Sequence, residues 1–334
     1  MTTYNAADIS VVLPVGNGSE LVGDVVRAIA EASPRPGEVV VVDDRVSDGS
    51  LDAVRAGGRA RVIANDGGAG PAGARNAGAR AARRPLIFFV DADVFVPADV
   101  FERIAAAYGE EVDGVVGVEA ELPALPNLAS RYKNLWMRYT YLILPRQVDL
   151  FYTSCASIKK ESFLAAGGFD EGYVTPSVED TAFGRTLAAH GIRIILDKNV
   201  EVEHRKVLDR WGVLVSAFKR GAALARCILR MGRRRGPGGN RTSVPSSFIA
   251  SVAAAALFPV WAVLAAFWWP GAAVGAAATW VAIYLLNIRW LAFLARRGFA
   301  LALWSLAFLP LEVFFSLAGG AWGTASYCLL GKRY

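Results

Sequence analysis

Pro85-Leu86-Ile87-Phe88-Phe89-Val90-Asp91-Ala92-Asp93 runs five apolar residues into two carboxylates. An apolar run this short, rich in β-branched and aromatic types and bounded by a proline, reads as a strand buried on both faces. The carboxylates then stand at its carboxyl end, where open α/β sheets place ligands. One residue separates Asp91 from Asp93, so in extended chain they point to the same side. Two like charges there repel unless a cation lies between them. Mg²⁺ or Mn²⁺, held by one or two carboxylates plus substrate phosphates, meets that need. A strand end capped by turn-forming acids is the bland reading of the same residues.

The stretches before it repeat the pattern. Ile9–Val15 reads as a first strand, followed by the loop Gly16-Asn17-Gly18-Ser19. Ser19 is placed to cap a helix running to about Ala32, with Leu21, Val25, Val26 and Ile29 at helical spacing. Glu38–Val42 is a second buried strand ending in Asp43-Asp44, and a short helix follows from about Ser50 to Ala56. Ala60–Ala64 is a third strand. It leads into the glycine-rich loop Asn65-Asp-Gly-Gly-Ala-Gly-Pro71 and an alanine-rich helix to about Arg83. Strands alternating with helices imply a mostly parallel, Rossmann-like sheet with right-handed crossovers.

Beyond Asp93, Pro97 opens a helix and Gly114–Val118 reads as a fifth strand. Between Leu125 and Leu144, Tyr132, Trp136, Tyr139 and Tyr141 are interleaved with Arg131, Lys133 and Arg138. A helix packing Trp136 on the sheet is expected there, with an amphipathic surface at a membrane boundary as the alternative. A strand at Ser154–Ile158 and a helix at Lys160–Ala166 follow. The helix stops at Gly167-Gly168-Phe169-Asp170-Glu171. A loop, Gly172–Ser177, leads to Glu179-Asp180 at the start of a helix ending near His190. Arg193–Leu196 and Val200–Val202 look like two short strands, with His204 directly after them. Arg210–Arg230 is an amphipathic helix placed to lie along a membrane face.

Composition divides the chain. It has 334 residues, 54% of them hydrophobic, and a net charge of +6; its mean hydropathy is +0.34. Residues 248–330 carry only Arg289, Arg296, Arg297 and Glu312 as charged groups, which is membrane composition. Arg226, Arg230, Arg233, Arg234, Arg235 and Arg241 precede them within sixteen residues. A basic block beside a hydrophobic span marks a cytoplasmic juxtamembrane segment rather than a nucleic-acid site. Residues 248–269 would span about 33 Å as a helix, enough for a bilayer core of about 30 Å. Trp268-Trp269-Pro270-Gly271 is an uncharged turn, and residues 272–288 return toward Arg289, Arg296 and Arg297. Residues 300–330 are too long for one straight span, and Pro310 or Gly319-Gly320 is placed to break them. One crossing there would put Lys332 and Arg333 outside; a re-entrant segment would keep them inside. The expected layout is a catalytic domain at 1–205, a basic juxtamembrane segment at 206–246 and a helical membrane region at 247–334 with two to four segments. Cys155, Cys227 and Cys328 lack metal-ligand spacing and read as reduced thiols. Met1–Asp8 is polar with no signal-peptide core, so the catalytic domain is expected to be cytoplasmic, on the inner membrane of the cell.

Four loops thus follow strands on one sheet edge. They carry Pro14-Val15, Asp43-Asp44, the glycine-rich loop with Arg75-Asn76, and Asp91-Ala92-Asp93. Together they describe a nucleotide site, with an acid for base or ribose, a basic group near phosphate and a metal at the diphosphate. Residues 9–204 resemble the family 2, GT-A-fold glycosyltransferases. The likeness rests on Val11-Val12-Leu13-Pro14-Val15, on Val42-Asp43-Asp44 with Ser47-Asp48-Gly49-Ser50, and on Ala74-Arg75-Asn76-Ala77-Gly78. Asp91-Ala92-Asp93 resembles the DxD motif; Gly167-Gly168-Phe169-Asp170-Glu171 and Glu179-Asp180 resemble the acceptor-side motifs.

The resemblance implies a donor site of Pro14, Val15, Asp44, Arg75 and Asp91, with Asp44 on the base and Asp91 on the ribose. It implies Asp93, and His204 near it, for Mg²⁺ or Mn²⁺ on the diphosphate. It implies Asp180 as general base, with Glu179 beside it. The implied reaction is inverting transfer of one sugar from a UDP-, GDP- or dTDP-linked donor to a lipid or lipid-linked acceptor. There are departures. Arg45 and Val46 replace Gly-Ser after Asp43-Asp44, and Gly16 stands where an aromatic is common. Val207 replaces the Gln of the processive synthases' Gln-x-x-Arg-Trp, although Arg210-Trp211 is present, which argues against a polymer synthase. A nucleotidyltransferase is disfavoured because Gly16-Asn17-Gly18-Ser19 contains no base. A non-catalytic membrane partner subunit is disfavoured by the intact Asp91, Asp93, Glu179 and Asp180.

Overall fold

The computed structural model describes residues 3–122, 125–231, 242–267 and 271–332. Arg233, Arg234, Arg235 and Arg241 of the basic block, Trp268-Trp269-Pro270 of the expected turn, and Arg333 lie outside the described residues. The chain divides into two compact units. Of the described residues, the first takes 3–122, 141–206 and Thr242, and the second takes 125–140, 207–231, 243–267 and 271–332. The sequence reading ends the catalytic domain at 205. Residues 125–140, expected within that domain, group instead with the C-terminal helices.

The first unit is built on a mixed sheet of nine strands among the described residues. β1 (Ile9–Val15), β2 (Glu38–Asp43), β3 (Arg61–Ala64) and β4 (Leu86–Phe89) are parallel neighbours in the order β3-β2-β1-β4. Their apolar runs are continuous because helices α1 (Val22–Glu31), α2 (Asp52–Gly57) and α3 (Pro71–Ala81) cover the faces. Burial of β1 and β4 is complete at Val11, Val12, Leu13 and Leu86–Phe89. α3 lies close against the sheet because Gly78 has no side chain: a Cβ there would fall 2.3 Å from a Val12 methyl and 2.9 Å from a Val42 methyl. Ser19 does not cap α1, which starts at Val22; its hydroxyl donates to Gly16 O inside the loop.

The other half of the sheet is less parallel than expected. After the two-residue β5 (Val94–Phe95) and helix α4 (Val100–Ala107) comes β6 (Gly114–Glu119). The two-residue β7 (Gln147–Val148) precedes β8 (Ala156–Lys159). β8 inserts antiparallel between β4 and β6. Helices α6 (Lys160–Ala165) and α7 (Glu179–Ala189) follow. The two short strands expected after α7 are one 11-residue strand, β9 (Ile194–His204). β9 runs parallel to β6 with a register shift between Val116 and Val118, and antiparallel to β5 and β7. The shift has a local cause at Gly117, where a Cβ would sit 2.3 Å from Val200 O and 2.4 Å from Cys155 Sγ. The parallel strands β1 to β4 all end on one edge, which positions the site.

The second unit contains most of α5 (Leu128–Leu142) and all of α8 (Arg210–Met231), α9 (Ser246–Ala255), α10 (Phe258–Phe267), α11 (Ala272–Leu286), α12 (Ile288–Ala295) and α13 (Phe299–Leu330). Among the described residues two helical stretches are long and apolar enough to cross a membrane, 246–267 and 299–330; α11 and α12, bent by 55°, make a third if they count as one span. α13 is unbroken by Pro310 or by Gly319-Gly320. The glycines serve packing: Cβ atoms on Gly319 and Gly323 would lie 2.1 Å from Phe218 O and 2.2 Å from Ala222 O of α8. Small residues of this kind let helix backbones approach. Trp136 is buried, with the rings of Phe248, Trp290 and Tyr139 against it. Glu312 accepts a hydrogen bond from the Tyr132 hydroxyl at 2.6 Å within the same aromatic cluster.

Candidate functional site

The edge where β1 to β4 end carries the expected loops, and side chains tie them together. Asp44 follows β2. Its Oδ1 accepts from Asn65 Nδ2 at 2.7 Å and its Oδ2 from the Gly70 amide at 2.9 Å. Asp44 therefore fastens the loop after its own strand to the glycine-rich loop after β3. Oδ1 also lies 3.5 Å from the Arg45 guanidinium, while Oδ2 keeps a second lone pair for a ligand. Pro14 and Val15 close β1 beside it, with Val15 O accepting from the Asp44 amide. Arg45 is a non-glycine residue in the left-handed region, φ 61°, and its guanidinium donates to Gly67 O.

The glycine-rich loop is held from the other side by Glu171. Its Oε2 accepts from the Gly68 amide at 2.7 Å and its Oε1 from Asn76 Nδ2 at 2.9 Å. Asn76 also exchanges two bonds with the Phe169 main chain. A Cβ on Gly70 would fall 2.1 Å from Val174 O, so only glycine lets this loop meet the 172–174 segment. These contacts explain why the Ala-Arg-Asn-Ala-Gly and Gly-Gly-Phe-Asp-Glu stretches occur in one chain. The Asn76 and Gly68 donors hold the Glu171 carboxyl below its ordinary range.

Asp91, Ala92 and Asp93 are not extended. They form a turn in which the Val94 amide donates to Asp91 O at 3.1 Å. The extended chain expected here gives way to a turn, so strand alternation does not set where the two carboxylates point. Asp91 accepts from Arg75 at 2.7 Å through Oδ1 and from the Ser154 hydroxyl at 2.6 Å through Oδ2. Burial opposes its charge, but Arg75 and Ser154 outweigh that and hold its carboxyl below the usual range. Arg75 reaches across to Glu179 Oε1 at 3.0 Å. The Ser177 amide donates to Glu179 Oε2, which fixes the entry into α7. Asp180, the next residue, is half-buried and accepts from the Thr181 amide at 2.6 Å.

Asp93 instead meets His204, with Nε2 3.2 Å from Asp93 Oδ1. The second ring nitrogen, Nδ1, lies 3.1 Å from Glu119 Oε1. Burial would lower the imidazole pKa; the Asp93 and Glu119 carboxylates reverse this and raise it to about 10. Among the described residues no group of three or more His, Cys, Asp or Glu is arranged to hold a metal. One carboxylate with one imidazole nevertheless fits a divalent ion that takes its remaining ligands from a diphosphate and water.

Three residues of this network are missing from the sequence reading: Glu119, Tyr152 and Ser154. Glu119 had a signal, since a buried strand ending in an acid is the pattern that marks Asp43 and Asp91. Tyr152 and Ser154 had none, because they reach the site only through the antiparallel insertion of β8.

Residues 10–164 match the Glycosyl transferase family 2. Validoxylamine A glucosyltransferase of Streptomyces hygroscopicus subsp. limoneus is 28% identical over 237 residues, covering 59% of this chain and 52% of that protein. Succinoglycan biosynthesis protein ExoO of Rhizobium meliloti (strain 1021) is 37% identical over 142 residues, 36% of this chain and 40% of that one. The chain spans about half the length, or less, of these curated relatives. Among solved structures, the mannosyltransferase PcManGT from Pyrobaculum calidifontis, in complex with GDP-Man and Mn²⁺, superposes with a TM-score of 0.64. It is 20% identical, and the match covers 96% of this chain and 88% of that one.

Proposed function

We propose that this chain, a family 2 glycosyltransferase with a GT-A-fold domain, is anchored in a membrane and inverts the anomeric centre as it moves a single sugar. The donor is a nucleotide sugar, UDP-, GDP- or dTDP-linked, and the acceptor is a lipid or lipid-linked hydroxyl at the cytoplasmic face of the inner membrane. One observation carries the reading: Arg75 joins Asp91 of the donor-side turn to Glu179 at the entry into α7, directly before Asp180. Donor and acceptor halves are thereby held in one network. The apolar helices of the same chain support a lipid acceptor.

Asp44 and Asp91 accept from the nucleoside, and the neighbouring Arg75 keeps Asp91 ionised for that task. Asp93 and His204 hold a divalent ion, Mg²⁺ or Mn²⁺, which when bound stabilises charge on the leaving diphosphate. Asp180 takes the proton from the acceptor hydroxyl, a contribution of about 10²–10⁴-fold. Glu179 aims the start of α7, so that Asp180 faces the acceptor.

A screen of nucleotide sugars for thermal stabilisation, followed by the hit with lipid extracts, tests the reading. The expected result is Mn²⁺- or Mg²⁺-dependent release of nucleoside diphosphate and label in an organic-soluble product. A protein that is stabilised by no nucleotide sugar, and hydrolyses none, would overturn it.

A further inference from the structure

β6 ends on Glu119, a carboxylate only 4% exposed. Two donors from different chain segments meet its Oε1: the Tyr152 hydroxyl, and Nδ1 of His204 at 3.1 Å. The backbone sets this arrangement. Glu119 pairs with Val202 in β9, and the Ala120 amide donates to Val202 O at 2.8 Å. His204 pairs with Val94 in β5, and the Arg205 amide donates to Asp93 O at 2.9 Å. The imidazole therefore stands between an acid at the end of β6 and an acid in the 91–93 turn. The register shift at Gly117 brings Glu119 opposite Val202; without it the strand would present a different residue there.

We propose that Glu119 is a positioning residue for the donor-side divalent ion. It accepts the N–H of His204 Nδ1, which fixes the ring orientation with Nε2 toward Asp93, so that an ion bound there would take the place of the Nε2 proton. Tyr152 holds Glu119 in turn. A histidine that ligates an ion commonly gives its other ring N–H to a carboxylate, and loss of that partner typically costs about 10–100-fold in ion affinity. The inference rests on the reading that Asp93 and His204 hold the ion.

The full chain in detergent, with UDP or GDP as the nucleotide, supplies the test. Mn²⁺ affinity is read from the free-ion paramagnetic resonance signal for wild type, Glu119→Gln and His204→Ala. Glu119→Gln should bind Mn²⁺ about 10–100-fold more weakly, while its metal-free nucleotide affinity stays near wild type. A folded Glu119→Gln with wild-type Mn²⁺ affinity, while His204→Ala is impaired, overturns the role of Glu119 alone. Wild type and His204→Ala with equal affinity overturn the ion site itself, and Glu119's role with it. A second readout needs no Glu119 variant. The chain has two histidines, so the ¹⁵N signals of His204 can be assigned with His190→Gln. With Mg²⁺ and nucleoside diphosphate bound, Nδ1 should carry the proton and Nε2 none; the opposite tautomer overturns the inference.

Discussion

Arg75 and Glu179, 104 residues apart, form an ion pair at 3.0 Å with side chains 5% and 6% exposed. Glu179 therefore faces inward, while the adjacent Asp180 is only half-buried. Removing one partner of a buried pair typically costs about 3–5 kcal/mol. Glu179→Gln should fall near the lower end, about 3 kcal/mol, because Asp91 still balances the guanidinium. Denaturant unfolding of wild type and variant checks the figure. A loss under half of it would mean that the pair does not hold the two segments together.

Acid should loosen the glycine-rich loop. The Asn76 and Gly68 donors lower the Glu171 carboxyl pKa in the folded protein. A depressed carboxylate pKa contributes stability above the unfolded value, about 4.3, and loses it as pH falls through the lower folded value. Glu171→Gln should thus be less stable than wild type by up to about 1 kcal/mol near neutral pH, because the carboxylate is partly exposed and solvent screens its two bonds. The gap should close below the unfolded value. Melting curves of both proteins across pH 3–7 decide it, and a pH-independent gap would assign the effect to packing.

Much of this was legible in residues 9–95. Each buried apolar run ends in turn-forming or acidic residues, and that local pattern fixes both the strand and the edge where its loop lies. The order of strands is not local. Nothing in Ala156–Lys159 says that it inserts antiparallel between β4 and β6, so Tyr152 and Ser154 could not be placed near Asp91. Asp197-Lys198-Asn199 looked like a break, yet β9 runs through it because a polar tip leaves backbone pairing intact on either side. Trp136 pointed to a packed helix, but an aromatic face does not name what covers it.

Topology follows from charge. Gly271 opens α11 after the apolar stretch at 246–267. If the catalytic domain is cytoplasmic, this position lies on the far side. Cys328 is exposed while Cys155 and Cys227 are buried, so the experiment uses a Cys328→Ser background. A cysteine introduced as Gly271→Cys should react with an impermeant reagent from outside intact cells. Reaction only after permeabilisation would reverse the orientation.

Metal dependence should map to Asp93 and leave Asp91 with a different role. Asp93→Asn keeps the shape beside His204 but removes a ligand charge, so nucleotide binding should lose its Mn²⁺ dependence. Asp91→Asn should weaken nucleotide binding with or without metal, because it disturbs Arg75 and Ser154. Calorimetric titration in Mn²⁺ and in excess EDTA separates the two. Full wild-type turnover in EDTA would exclude the ion from the reaction.

If Asp180 is the general base, it divides donor from acceptor work. It lies in the first turn of α7, next to the Glu179 that Arg75 holds, while Asp44, Arg75 and Asp91 bind one another's loops on the donor side. Asp180→Asn removes proton acceptance and keeps nearly the same shape. Turnover should fall by about 10²-fold or more, with nucleotide-sugar affinity within a few-fold of wild type. An acid that merely favours a helix start contributes about 0.3–1 kcal/mol, and its loss would leave activity largely intact. The variant's kcat and its donor affinity, measured together, distinguish the cases. Near-normal turnover in a folded Asp180→Asn would remove it from the chemistry. Loss of donor binding in step with turnover would move Asp180 to the donor side, and the Arg75 bridge would then join two parts of one donor site.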